Sequence, residues 1–255
     1  MSTGRPSADA SRAVLARRLI SLTDLTSLNE SDDAATVRAL AQLAGSAPVK
    51  PAAVCIWARG IAAALDALRG TGIPVCAVAN FPSGTAAIDA AVAETAAAIE
   101  AGAAEVDVVF PYRALLAGDT LAGLGLVRGC REACGEHALL KMILETGQLV
   151  SAENIRLAAA IAIEGGAHFL KTSTGKTQPG ATLMAAQVML DAIAQAQTRG
   201  VRVGFKASGG IRTMADAASY LALYERRFGP GSAEPAVFRI GASQLVHELL
   251  AVGRS

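Results

Sequence analysis

Glu105-Val106-Asp107-Val108-Val109-Phe110 is an apolar run opened by one carboxylate and interrupted by a second. That is the pattern of a short strand covered on both faces. Pro74-Val75-Cys76-Ala77-Val78-Ala79 reads the same way, and working outward the pattern recurs at Leu19 to Leu25, Ala53 to Ala58, Leu139 to Leu144, Ala167 to Lys171, Val201 to Lys206 and Val237 to Ile240. Helical segments separate these eight runs. One of them opens at Ser151 with Glu153 and Asn154 behind it and closes at Gly165-Gly166, a capped start and a glycine stop. A strand, helix, strand rhythm of about thirty residues implies right-handed parallel crossovers. Eight such units in 255 residues, with no second composition regime, predict a single-domain α/β fold, the closed (β/α)8 or TIM barrel, rather than an open doubly wound sheet. Gly229-Pro230-Gly231-Ser232 is then a loop before the last strand and no domain linker.

Composition narrows the chemistry. With 52% hydrophobic and 18% charged residues the chain can bury a large interior, and alanine-rich Ala86 to Ala98 suits a closely packed helix. Net charge is +1 and the basic residues are scattered, which argues against nucleic acid and anionic membrane and favours a small-molecule partner. No apolar stretch has the length of a spanning helix. Cys55, Cys76, Cys130 and Cys134 form no CxxC pair and no zinc spacing, so no metal or cofactor is expected, and reduced thiols fit a cytoplasmic protein. Cys55 and Cys76, set in apolar runs, read as small hydrophobes. Met1 to Arg18 is rich in Ser, Ala and Arg but carries Asp9 and has no signal-peptide core; residues 1–18 are expected to be a tail and leading helix ahead of a barrel over 19–255.

Barrels of this kind keep their reactive groups at the C-terminal ends of the strands. The polar residues that fall there or within strands are Asp24, Asp107, Lys141, Lys171 and Lys206. Burying an ammonium costs several kcal/mol unless it is paired or loses its proton. Asp107, Glu145 and Asp24 are the acids available as partners. Crowded, desolvated lysines disfavour each other's charge, and a neutral amine can attack a carbonyl to form a Schiff base, an electron sink for breaking the adjacent carbon–carbon bond. Asp107, on a neighbouring strand, is the candidate proton shuttle. Three glycine-bearing segments follow the last strands: Thr172-Ser173-Thr174-Gly175-Lys176, Ser208-Gly209-Gly210 and Gly241-Ala242-Ser243. They suit a phosphate held by backbone N–H groups.

At these residues the sequence resembles the deoxyribose-phosphate aldolases, a class I aldolase family. The matching segments include Asp24-Leu25-Thr26, Asn80-Phe81-Pro82, Glu105 to Arg113, Leu140-Lys141, Glu145-Thr146-Gly147, Phe169 to Lys176, Gly204 to Thr213 and Arg239 to Ser243. The resemblance implies Lys171 as the Schiff-base lysine, Lys206 as the residue that perturbs it and Asp107 as the proton relay. Asp24, Lys141 and Thr26 would support them, and Thr174, Gly175, Lys176, Gly209, Gly210, Gly241 and Ser243 would bind substrate and its phosphate. It also implies the reaction, reversible cleavage of 2-deoxy-D-ribose 5-phosphate to D-glyceraldehyde 3-phosphate and acetaldehyde without a cofactor, and assembly as a homodimer or homotetramer. Two departures stand out. Gln244 replaces a second serine found in some relatives, and Gly253-Arg254-Ser255 stands where some relatives carry a terminal tyrosine, so proton transfer is expected to rely on Asp107 and water. Competing expectations are an aldolase or transaldolase of another phosphorylated sugar, a catalytically silent phosphometabolite-binding barrel, and a metal-dependent aldolase. The last lacks ligands, because His137, His168 and His247 are read as structural.

Overall fold

The structure is a computed structural model and describes residues 8–254; the first seven residues of the expected N-terminal tail lie outside the described residues. Eight parallel strands close in sequence order into one barrel: β1 (Thr23–Thr26), β2 (Ala53–Ile56), β3 (Val75–Ala79), β4 (Glu105–Val109), β5 (Leu139–Ile143), β6 (Phe169–Lys171), β7 (Gly204–Ser208) and β8 (Phe238–Ala242). The ladder runs from β1 round to β8 and back to β1, so no strand edge is left open, as a closed barrel requires.

All eight expected runs contain a strand, but their ends shift. Leu19 and Ile20 belong to the leading helix α1 (Ala8–Ser21) rather than to β1; a buried helix end and a buried strand look alike in a short apolar run. At the other end of the chain β7 and β8 reach Ser208 and Ala242, so Ser208 and Gly241 sit in the strands and not in the loops that follow them. The helix opened by Ser151, α8 (Ala152–Glu164), forms as expected, with the Ser151 hydroxyl accepting from the Asn154 N–H at 3.1 Å. Alanine-rich α4 (Ile88–Glu100) packs against α6 (Thr120–Cys134). Helix α1 packs on the last helix, α11 (Leu245–Gly253), where Arg17 Nε donates to the Gly253 carbonyl at 2.8 Å. Among the described residues no helix is long and apolar enough to cross a membrane.

Register aligns the polar residues. Asp107 pairs with Lys141 across β4 and β5, Lys171 with Lys206 across β6 and β7, and Lys206 with Arg239 across β7 and β8. Side chains at paired positions share a face of the sheet, and here that face is the barrel interior. Gly241 makes room for this arrangement: a Cβ there would lie 3.1 Å from Lys206 Cε and 2.9 Å from Ser208 Cβ.

Candidate active site

Six charged side chains meet beneath the C-terminal mouth of the barrel, in addition to Lys171, and all are buried. Asp107 is the centre. Its Oδ2 accepts from Lys171 Nζ and from Lys206 Nζ, each at 2.7 Å, and its Oδ1 accepts from Lys141 Nζ at 2.8 Å. Lys206 also bonds Asp24, and Lys141 lies 2.6 Å from Glu105 Oε2. Arg239 completes the set, with Nη1 2.6 Å from Asp24 Oδ1 and Nη2 2.9 Å from Glu105 Oε1. The cluster therefore holds four basic groups, Lys141, Lys171, Lys206 and Arg239, against three carboxylates, Asp24, Glu105 and Asp107.

The expected convergence of three lysines is present, with two corrections. Glu145 is no counter-ion of the lysines: its Oε2 takes the Thr174 hydroxyl at 2.5 Å, and its carboxylate faces the Thr174 backbone N–H. Glu105 and Arg239 supply the balance instead. An arginine inside Val237-Phe238-Arg239-Ile240 carried the same signal as a lysine in an apolar strand.

Electrostatics sort the amines. Burial opposes the charge on Lys206, yet Asp107 and Asp24 outweigh it and hold the ammonium well above the ordinary lysine value. Lys141 is raised in the same way against its own desolvation, mainly by Asp107. Burial likewise works against the Asp107 and Asp24 carboxylates, but the surrounding cations keep both well below the usual carboxylate range. The two lysines that share Asp107 Oδ2 have nitrogens no more than 5.4 Å apart, from their two 2.7 Å bonds.

Above the cluster opens a cavity of about 510 Å³. Lys171 lines it, and no other member of the charged cluster does. Asp107, Lys206, Asp24 and Lys141 lie beneath, so a ligand meets Lys171 first. Of the expected binding residues, Thr26, Thr174, Gly175, Lys176, Gly209, Gly210, Gly241 and Ser243 all line the cavity. Gly209 and Gly210 have φ of 94° and 84°, a left-handed backbone that side chains resist and that lets peptide N–H groups turn toward a ligand. Two residues are already engaged: Lys176 Nζ donates to the Leu28 carbonyl at 2.6 Å, and the Thr26 hydroxyl to the Asp24 carbonyl at 2.9 Å. Arg212 and His247 also line the cavity and were not anticipated. His247, read as structural, instead lines the cavity from the first turn of α11. His168 does have a structural bond, its Nδ1 accepting from the Leu140 N–H at 2.9 Å. No carboxylate lines the cavity among the described residues, a charge pattern that favours an anion.

Leu28, Ala53, Cys55, Cys76 and Val78 form a separate cluster against Trp57 and Phe81. Cys55 and Cys76 are more than space fillers, however. Their sulfurs and a carboxylate oxygen of Asp107 lie within 4.8 Å of one another. This trio makes a poor cation site, because both Asp107 oxygens already accept from ammonium groups.

A family model described as DeoC/LacD family aldolase matches residues 18–226. Among solved structures, a protein of Toxoplasma gondii ME49 provisionally named a deoxyribose-phosphate aldolase is 25% identical. The match covers 97% of each chain with a TM-score of 0.90. A Coccidioides immitis protein, provisionally named in the same way, is 30% identical over 92% of this chain and 86% of its own, with a TM-score of 0.78. The deoxyribose phosphate aldolase of Aeropyrum pernix, described as a tetramer, is 24% identical over 98% of this chain and 99% of its own, with a TM-score of 0.76, and shares the fold.

Proposed function

The chain belongs to the DeoC/LacD family of aldolases, and from that premise we propose that it reversibly cleaves 2-deoxy-D-ribose 5-phosphate into D-glyceraldehyde 3-phosphate and acetaldehyde through a Schiff base on Lys171. The observation that carries this reading is the position of Lys171. It is the cluster's one member at the cavity floor, 2.7 Å from Asp107, in a network with one more basic group than carboxylates.

A buried surplus cation is costly. Lys206 and Lys141 are both held in the charged form and Arg239 stays protonated under all ordinary conditions. Lys171, the cluster's one amine at the cavity floor, is left to act as the nucleophile. Its amine adds to C1 of the open-chain sugar and expels the oxygen as water, giving a protonated Schiff base. Asp107, ionised and one side chain below the cavity, takes the proton of the C3 hydroxyl through a water. The electron pair of the C2–C3 bond moves into the iminium as the C3 aldehyde leaves, forming the enamine. Protonation of that enamine at C2 and hydrolysis release acetaldehyde and restore the amine.

The phosphate occupies the far end of the cavity. Support comes from Lys176, Arg212 and His247 on its wall, the left-handed glycines 209 and 210, and Ser243 just ahead of α11. Helix N-termini and turned N–H groups both attract anions. Residues 19–255 act as one catalytic domain behind an N-terminal tail and leading helix in residues 1–18, and the enzyme works in the cytoplasm as a homodimer or homotetramer.

The test is borohydride reduction in the presence of acetaldehyde, followed by peptide mapping. An adduct on Lys171 is expected; one on Lys206 overturns the assignment, and no adduct at all revives a binding-only barrel. Comparing 2-deoxy with 2-hydroxy pentose phosphates as substrates separates the proposed substrate from that of another sugar-phosphate aldolase.

A further inference from the structure

Cys76 lies on β3, where register sets it beside Cys55 of β2 and Glu105 of β4. Its side chain is fully buried in the barrel interior. The sulfur is 3.1 Å from Asp107 Oδ1 and 3.2 Å from Lys141 Nζ, and Lys141 Nζ is itself 2.8 Å from the same Oδ1. The three groups thus close a triangle in which the ammonium donates to both other members. The thiol hydrogen has two other candidate acceptors, the Ala77 carbonyl at the longer distance of 3.6 Å and the Cys55 sulfur, which lies within 4.8 Å.

We propose that Cys76 is a positioning residue for the aldol step: its thiol donates to Asp107 Oδ1 and turns the other oxygen, Oδ2, toward Lys171 and Lys206. The inference rests on the reading of Asp107 as the proton acceptor. Three features support it. Burial raises the Cys76 thiol well above its ordinary value, an effect that the neighbouring Cys55 thiol and then Asp107 reinforce, so the group remains S–H and can donate. Carboxylate torsions are soft and roughly two-fold, so without a second donor Lys141 alone anchors Oδ1. Rotation would exchange the two oxygens between an ammonium facing away from the cavity and the amine that faces it. Finally, Cys55 cannot stand in, because its sulfur approaches the other oxygen, Oδ2, and only to 3.9 Å.

The test compares Cys76→Ala and Cys76→Ser with the wild-type enzyme, with circular dichroism to verify the fold of each. Borohydride trapping of acetaldehyde on wild-type Lys171 is measured first. Failure there overturns the aldolase reading itself and is thereby distinguished from failure of the thiol's role. With trapping established, Cys76→Ala is expected to lower kcat roughly tenfold to a hundredfold, the worth of one hydrogen bond to a charged group, with KM within about twofold of wild type. Cys76→Ser keeps a donor and should recover most of that loss. A Cys76→Ala enzyme with wild-type kcat overturns the proposal. So does a Cys76→Ser enzyme as impaired as Cys76→Ala, since the sulfur would then only be filling space.

Discussion

Replacing Lys206 by Met removes a charge on which the proposed mechanism depends, yet it strands no partner. Asp24 keeps Arg239 at 2.6 Å, and Asp107 keeps Lys141 at 2.8 Å and Lys171 at 2.7 Å. The cluster passes from four basic groups against three carboxylates to three against three, which leaves Lys171 with a carboxylate of its own. The lost repulsion follows from the spacing. Two unit charges at the 5.4 Å limit set by the shared Asp107 oxygen repel by about 3 kcal/mol at an effective dielectric constant of about 20. That energy corresponds to roughly a hundredfold smaller population of free amine at fixed pH. Because Lys206 is held charged well above the ordinary lysine value, its influence in the wild type is constant over the accessible pH range. The variant is therefore expected to lose roughly a hundredfold in kcat/KM at neutral pH and to regain activity as pH rises, the acid limb of its profile displaced upward. The assay is kcat/KM across the pH range, with the borohydride trapping rate followed in parallel. A loss that alkaline pH does not relieve, or an acid limb that stays in place, would refute the claim that Lys206 acts by crowding Lys171.

Arg239→Met should destabilise the fold by about 1.5–3 kcal/mol, since Asp24 and Glu105 each lose a charged hydrogen bond while keeping Lys206 and Lys141. Urea unfolding measures this, and the double variant with Glu105→Gln is expected to be milder than Arg239→Met alone. At the cavity rim, Arg212→Gln and His247→Ala should each raise KM for the phosphorylated sugar roughly tenfold with kcat unchanged. Neither should alter cleavage of unphosphorylated 2-deoxyribose; an equal effect on both substrates would remove these residues from phosphate binding.

How far such a site can be read from sequence depends on the reach of each interaction. Lys141, Lys171 and Lys206 were legible because a charged residue inside an apolar strand needs a reason, and strand ends give it an address. Asp107 was legible for the same reason. The partner choice was not: Arg239 and Glu105 are 134 positions apart, and only barrel closure brings them together, so Glu145 looked an equally good counter-ion. Cys76 read as a small hydrophobe because apolar neighbours say nothing about which polar atom the barrel brings across from the next strand. His247 escaped notice because its helix follows the strand end by a few residues, and which face of that helix meets the cavity is set by tertiary packing. Leu19 and Ile20 show the remaining ambiguity, an apolar run that belongs to a helix end.

That Lys171 alone connects the charged network to the cavity makes this side chain a valve between two media. A reagent arriving through the cavity meets that nitrogen before it meets Asp107. Capping Lys171 with a reduced aldehyde should consequently isolate the interior, slowing proton exchange at Lys141 and Lys206 along with stopping turnover.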